Sequence, residues 1–153
     1  MKLPPELQFI ANARLPQKTT QQRMDGKICV ITGTTSGVGY ISTKRLAKGG
    51  AYLVMVCRNR EKAASVQYEI KSEFSTTSDI VLADFRKLDE VRGAAQQILK
   101  KYDHIDVLIN NAGVHHTKRT LTPDGYETAF SVNHLASFLL TRLLLDRMKE
   151  SAA

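Results

Sequence analysis

Ile28-Cys29-Val30-Ile31-Thr32-Gly33-Thr34-Thr35-Ser36-Gly37-Val38-Gly39 is a short apolar run that breaks into a glycine-rich turn. An uninterrupted run of four apolar residues suits a strand covered on both faces. The turn that follows opens a segment of helical period, and each glycine has a separate task in such a turn. Gly33 lets the chain leave the strand sharply, Gly37 lets backbone approach a pyrophosphate, and Gly39 lets helix and sheet pack closely. The start of the helix adds free N–H groups and a partial positive charge. Thr34, Thr35 and Ser36 add hydroxyl donors. A glycine turn alone serves many purposes; the strand before it and the helix after it mark this one as a dinucleotide cradle.

Outward from that turn, three further apolar runs follow: Leu53-Val54-Met55-Val56, Ile80-Val81-Leu82-Ala83 and Val107-Leu108-Ile109. Between them Ala63, Val66, Ile70 and Phe74 recur at helical spacing, as do Leu88, Val91, Ala95, Ile98 and Tyr102. Strict strand–helix alternation predicts parallel strands with right-handed crossovers. The expected fold is an α/β, doubly wound Rossmann sheet in the order 3-2-1-4, ending after its fourth strand and the helix that follows. That last helix is predicted over residues 124–149, with Phe130, Leu135, Phe138, Leu139 and Leu143 among its apolar positions. It is also the expected surface for homo-oligomer formation.

The end of the second strand carries the next signal. Enzymes that use NAD place an acidic residue there, about 20 residues past the first glycine, for the ribose 2′-hydroxyl. Here the chain reads Cys57-Arg58-Asn59-Arg60, with Arg58 25 residues after Gly33. A guanidinium matches a 2′-phosphate, so NADP(H) is expected over NAD(H), with Arg58 and Asn59 at its adenosine end.

Composition sets the frame. The chain has 153 residues, 42% of them hydrophobic and 24% charged, which excludes disorder as the starting assumption. The net charge of +7 raises nucleic acid as a partner, yet the basic residues neither cluster nor alternate with aromatics. A surface receptive to polyphosphate explains the excess better, and no nucleic-acid partner is expected. Cys29 and Cys57 lie in or at the end of strand-like runs and read as free buried thiols, with no metal-ligand spacing. No leader or membrane-spanning segment is expected, since apolar runs extend to only about six residues, and the expected location is cytoplasmic. Residues 1–24 hold Pro4, Pro5 and Pro16 and read as an extension with one helical turn around Glu6 to Ala13. The nucleotide-binding domain is expected over residues 25–153.

From about Gly26 to Ala152 the chain resembles the short-chain dehydrogenase/reductase family, in the branch that contains retinol dehydrogenases, WW-domain oxidoreductase and light-dependent protochlorophyllide reductase. Thr32 to Gly39 matches its TGxxxGxG loop, and Asn110-Asn111-Ala112-Gly113 its NNAG signature. Asp124-Gly125-Tyr126-Glu127, Val132-Asn133-His134-Leu135 and Phe138-Leu139-Leu140-Thr141 read like the branch's long helix. The resemblance implies that Asp84 contacts the adenine ring, with Phe85 beside it where leucine is usual, and that residues 110–113 border the adenosine ribose. It implies that Asn133 is the active-site asparagine, whose backbone holds a water of the proton relay. Ala136 and Ser137 depart from a common Gly-His pair.

The family's serine and its Tyr-x-x-x-Lys, where lysine lowers the tyrosine pKa, belong to elements beyond this sequence. Tyr40 and Lys44 match that spacing, but position 40 lies about 200° round the helix from Val38. With Val38, Ser42 and Leu46 facing the sheet, both should point to solvent. His115 and His116 follow the NNAG signature in a loop bordering the expected substrate pocket, although paired loop histidines more often face water. His134 reads as a packed helix residue. The implied activity is hydride transfer between NADP(H) and a carbonyl or alcohol substrate, with the lone chain inactive. The alternatives are a non-catalytic NADP(H)-binding module and an interaction fragment that pairs through an open strand edge.

Overall fold

The computed structural model describes Pro4 and residues 20–152, so the helical turn expected around Glu6 to Ala13 lies outside the described residues. Four strands, β1 (Ile28–Thr32), β2 (Tyr52–Cys57), β3 (Ser78–Leu82) and β4 (Val107–Ile109), form one parallel sheet in the order β3-β2-β1-β4. The registers Val30↔Val54 and Val30↔Leu108 fix β1 at its centre. This is the fold class and strand order expected from the alternating pattern.

Helices α1 (Gly37–Lys48) and α2 (Arg60–Phe74) cover one face. Helices α3 (Leu88–Lys101) and α4 (Thr128–Ala152) cover the other. Alternation along the strands divides the core accordingly. Cys29, Leu53 and Met55 meet Ala47, Val66 and Ile70 on the first face. On the second, Val30, Val54 and Val56 meet Val91, Ile98, Leu140 and Leu144. The entry to β1 is pinned by Asp106, whose carboxylate accepts from the Ile28 N–H and from Lys27 Nζ, both at 2.8 Å. Met24, assigned from sequence to the extension, already donates its N–H to Gly49 O at 2.8 Å and packs on the first core.

Two helices present faces other than those expected. On α1 the buried line is Gly39, Thr43 and Ala47, while Val38 is 75% exposed and Ser42 and Leu46 are half-buried. The helix comes so close to the phosphate turn that only small side chains fit beneath it, and this outweighs the pull of Val38 into the core. Tyr40 and Lys44 consequently face α2 rather than open water. Tyr40 donates to Glu69 and Lys44 to Glu73, each at 2.6 Å.

Helix α4 begins at Thr128, not at Asp124. Gly125 (φ 82°) turns the chain there, Asp124 accepts from the Leu88 N–H of α3 at 2.8 Å, and Glu127 accepts from the N–H groups of Ala129 and Phe130. Inside α4, residues Ser131–Leu135 form a π turn closed by Ala136 N–H to Ser131 O. Its buried apolar positions are Val132, Ala136, Leu140 and Leu144, whereas Phe130 and Phe138 are exposed. A π turn inserts one residue into the helix and so changes which side chains face inward. By length and composition alone, α4 is long and apolar enough to cross a membrane. In this fold it is a core helix laid on α3.

Candidate functional site

The carboxyl ends of the four strands open into one cleft of about 810 Å³. That is where a doubly wound sheet binds its ligands, because the chain diverges there to opposite faces. Its floor is the glycine turn. Gly33 has φ 71°, and a Cβ on it would lie 2.8 Å from Ala112 Cα. A Cβ on Gly39 would fall inside van der Waals contact of the Gly33 carbonyl oxygen and Asn111 Nδ2. Both positions therefore need glycine for close approach.

The NNAG segment is tied to this turn through Thr32. The Thr32 hydroxyl accepts from the N–H groups of Asn111 (3.0 Å) and Ala112 (2.8 Å). Asn111 Nδ2 in turn donates to the carbonyls of Thr32 (3.0 Å) and Gly33 (3.2 Å). Two motifs nearly eighty residues apart thus become one rigid cradle. The first turn of α1 opens into it with no side-chain cap and no acidic residue. By contrast, Asn59 caps α2 through Lys62 N–H and Glu127 caps α4. An uncapped, partly positive helix start beside two obligatory glycines and the Thr35 and Ser36 hydroxyls is a donor set that fits a diphosphate.

Most of the expected cofactor residues share this cleft. Gly33, Thr35, Ser36, Val38 and Gly39 form its floor, Arg58 follows β2, Asp84 and Phe85 follow β3, and Asn111, Ala112 and Gly113 follow β4. Four other expected cofactor residues, Thr34, Gly37, Asn59 and Asn110, and the expected active-site residue Asn133 are not among the side chains that line it. Thr34 is fully buried, its hydroxyl without a hydrogen-bond partner. Gly37 (φ 55°) is exposed with open space around it. Asn59 is occupied as the α2 cap, and Asn110 Nδ2 donates to Thr141 Oγ1 at 2.8 Å, bracing β4 on α4. Asn133 sits in the π turn and grips Val114 from both sides, accepting from its N–H (2.8 Å) and donating to its carbonyl (2.9 Å). It thereby holds the loop that carries His115 and His116, both of which line the cleft. His134 is exposed and stacks between Phe130 (5.2 Å) and Phe138 (6.5 Å), rather than packing inward.

Sequence reading missed Arg86, which lines the same cleft. Its Nη2 donates to Asp84 Oδ2 at 2.6 Å and its Nε to both carboxylate oxygens, at 3.1 and 2.9 Å. The Arg86 guanidinium holds the Asp84 carboxyl below the ordinary carboxylate range, and the charge of Arg58 adds to the effect. A cation two residues after the acid that follows β3 was the available signal. The apolar part of the wall, Leu121, Pro123 and Val132, was also unforeseen. Leu121 and Pro123 come from the loop before α4, and Val132 from the π turn within that helix. Burial pushes the thiols of Cys29 and Cys57 up to about 11, so both free cysteines stay protonated at neutral pH. Among the described residues, no group of three His, Cys, Asp or Glu side chains could hold a metal ion.

Comparison with known proteins agrees with this geometry. The sequence model of the short chain dehydrogenase family matches residues 27–153. Mouse retinol dehydrogenase 12 is 41% identical over 139 residues, covering 88% of this chain and 43% of the relative. Human retinol dehydrogenase 11 is 42% identical over 139 residues, covering 88% and 42%. The chain therefore spans less than half the length of these curated relatives. Among solved structures, a short chain dehydrogenase from Shigella flexneri superposes with a TM-score of 0.74 at 26% identity, covering 88% of this chain and 55% of that one. A short-chain dehydrogenase from Sphingobium yanoikuyae in complex with NADPH gives 0.72 at 26% identity, covering 83% and 50%. With its glycine cradle, its sheet order and these relatives in agreement, the chain belongs to the short-chain dehydrogenase family, on the retinol dehydrogenase branch.

Proposed function

We propose that this chain is the NADP(H)-binding part of an oxidoreductase that interconverts a carbonyl and an alcohol. The observation that carries the reading is the cleft itself, where an interlocked glycine cradle and an uncapped helix start face Arg58. In this reading the α1 start, Thr35 and Ser36 hold the diphosphate. Arg58 meets the 2′-phosphate, Asp84 and Phe85 border the adenine, and Asn111, Ala112 and Gly113 border the ribose. The coenzyme supplies or accepts the hydride when bound. The loop held by Asn133 then shapes the far end of the cleft, where Leu121, Pro123 and Val132 favour an apolar substrate, in keeping with the retinol dehydrogenase names of the relatives. Two free cysteines favour a reducing compartment such as the cytoplasm.

The test is equilibrium titration of the 153-residue chain with NADPH and NADH, followed by coenzyme fluorescence. NADPH is expected to bind about tenfold more tightly than NADH, and Arg58→Ala to erase that preference. Failure of both coenzymes to bind the folded protein sinks the proposal.

A second reading, a binding module without chemistry, is favoured by one observation. The sequence's Tyr-x-x-x-Lys match, Tyr40 and Lys44, serves the α1–α2 contact and lies off the cleft. We propose that the 153-residue polypeptide on its own binds coenzyme without turnover. Steady oxidation of NADPH by this chain in the presence of a carbonyl substrate would overturn that. Association of two copies through α4 is proposed on the exposed Phe130, His134 and Phe138 stack. Sedimentation of wild type against Phe138→Asp tests it, with a monomeric wild type as the adverse outcome.

A further inference from the structure

Arg58, Arg86 and Asp84 meet at one end of the cleft, two cations and one anion. Their division of labour is visible in the contacts. The Asp84 carboxylate is fully engaged by Arg86, which reaches both of its oxygens through Nε and one through Nη2, while the Arg86 backbone N–H donates to Oδ1 at 3.0 Å. Nearby Glu90 is matched by Lys87 at 2.8 Å, and its other oxygen accepts from the Asp84 N–H. Arg58 lines the same wall and forms no ion pair with the described residues. The corner therefore carries one uncompensated positive charge, and it resides on Arg58.

Deleting Arg86 changes that count. Asp84 would be left as an unmatched carboxylate within electrostatic reach of Arg58, and the two charges would cancel. A carboxylate at that spot would also repel an incoming dianion directly. We infer that Arg86 is a positioning residue for coenzyme choice: by occupying the Asp84 carboxylate, it leaves the Arg58 guanidinium available to a phosphate at the adenosine end of the cleft. This rests on the NADP(H) reading above and adds a residue and a charge balance to it. Half of the Arg86 side chain remains accessible (49%), so the pair is held at the cleft surface and shapes the local field there.

The test compares NADPH and NADH binding to the 153-residue chain in wild type, Arg86→Ala, and the double variant Asp84→Asn/Arg86→Ala. Arg86→Ala is expected to weaken NADPH about tenfold while NADH changes by less than about twofold. The double variant removes the unmatched carboxylate as well, so its NADPH-to-NADH affinity ratio is expected back within about threefold of wild type. NADH is the internal control for folding. Equal losses for both coenzymes in Arg86→Ala, an unchanged ratio in it, or no recovery in the double variant overturns the inference while leaving the coenzyme assignment intact. If wild type binds neither coenzyme, the parent reading falls and takes this inference with it.

Discussion

Glycine and asparagine mark the residue scale, where neighbouring positions of the same type do different work. Gly39 lies against the Gly33 carbonyl and Asn111, so a methyl group there must displace backbone. Gly39→Ala is expected to lower stability by about 1–3 kcal/mol in urea unfolding and to abolish NADPH binding. Gly37 has room around it and only its positive φ to defend. Gly37→Ala should cost about 1 kcal/mol and leave the cradle's shape intact, which the same two measurements would show. The sequence motif makes the two glycines look equivalent; their surroundings separate them. Asn59 is a parallel case. Adjacency to Arg58 suggested a coenzyme ligand; its side-chain oxygen caps α2 through the Lys62 N–H. Asn59→Ala is expected to lose about 1 kcal/mol of stability with NADPH affinity unchanged.

Elements were legible where one local pattern settles the matter. The four apolar runs could be read because a parallel strand buried on both faces needs no partner to declare itself. Helices α2 and α3 bury the residues their spacing promised, Ala63, Val66 and Ile70 on one and Val91, Ala95 and Ile98 on the other. Helix α4 was misread because its π turn follows from packing around Asn133 and Ala136, which no short-range spacing reveals. The correction has a measurable consequence. Leu140→Ala, at a fully buried position against α3, is expected to cost about 2–5 kcal/mol. Phe138→Ala, exposed on the opposite side, should leave the stability of the isolated monomer within about 0.5 kcal/mol of wild type. The same confusion affected α1, where large apolar residues drew the expected face and small ones hold the actual one.

Across the whole molecule, the end of the sheet opposite the cleft is tied together by Asp79. Tyr52 donates to its carboxylate at 2.8 Å, Lys101 at 2.5 Å, and Tyr102 adds a third hydrogen bond. Burial pushes the Asp79 carboxyl up, but the bonds from Lys101, Tyr102 and Tyr52 together outweigh it and leave it below its ordinary value. A carboxylate depressed in the folded state stabilises the fold above its unfolded pKa of about 3.9, and that contribution is lost as pH falls through the lower folded value. Asp79→Asn is therefore expected to lower the melting temperature at pH 7, with the gap from wild type closing as the pH is taken below about 4. A gap independent of pH would show that Asp79 acts through packing instead of charge.

Sequence alone determined the four strands and the location of the phosphate turn. Both depend on short-range rules, the conformational freedom of glycine and the continuity of apolar runs, which hold wherever the segment ends up. Only the tertiary structure decided that Thr32 and Asn111 lock two distant motifs together and that Arg58 comes to line the same cleft as Asp84 and Arg86. Those outcomes are set by how closely backbone segments far apart in the chain approach one another. Hydrogen bonds and charge pairs over three ångströms record such an approach, and the linear order of residues does not.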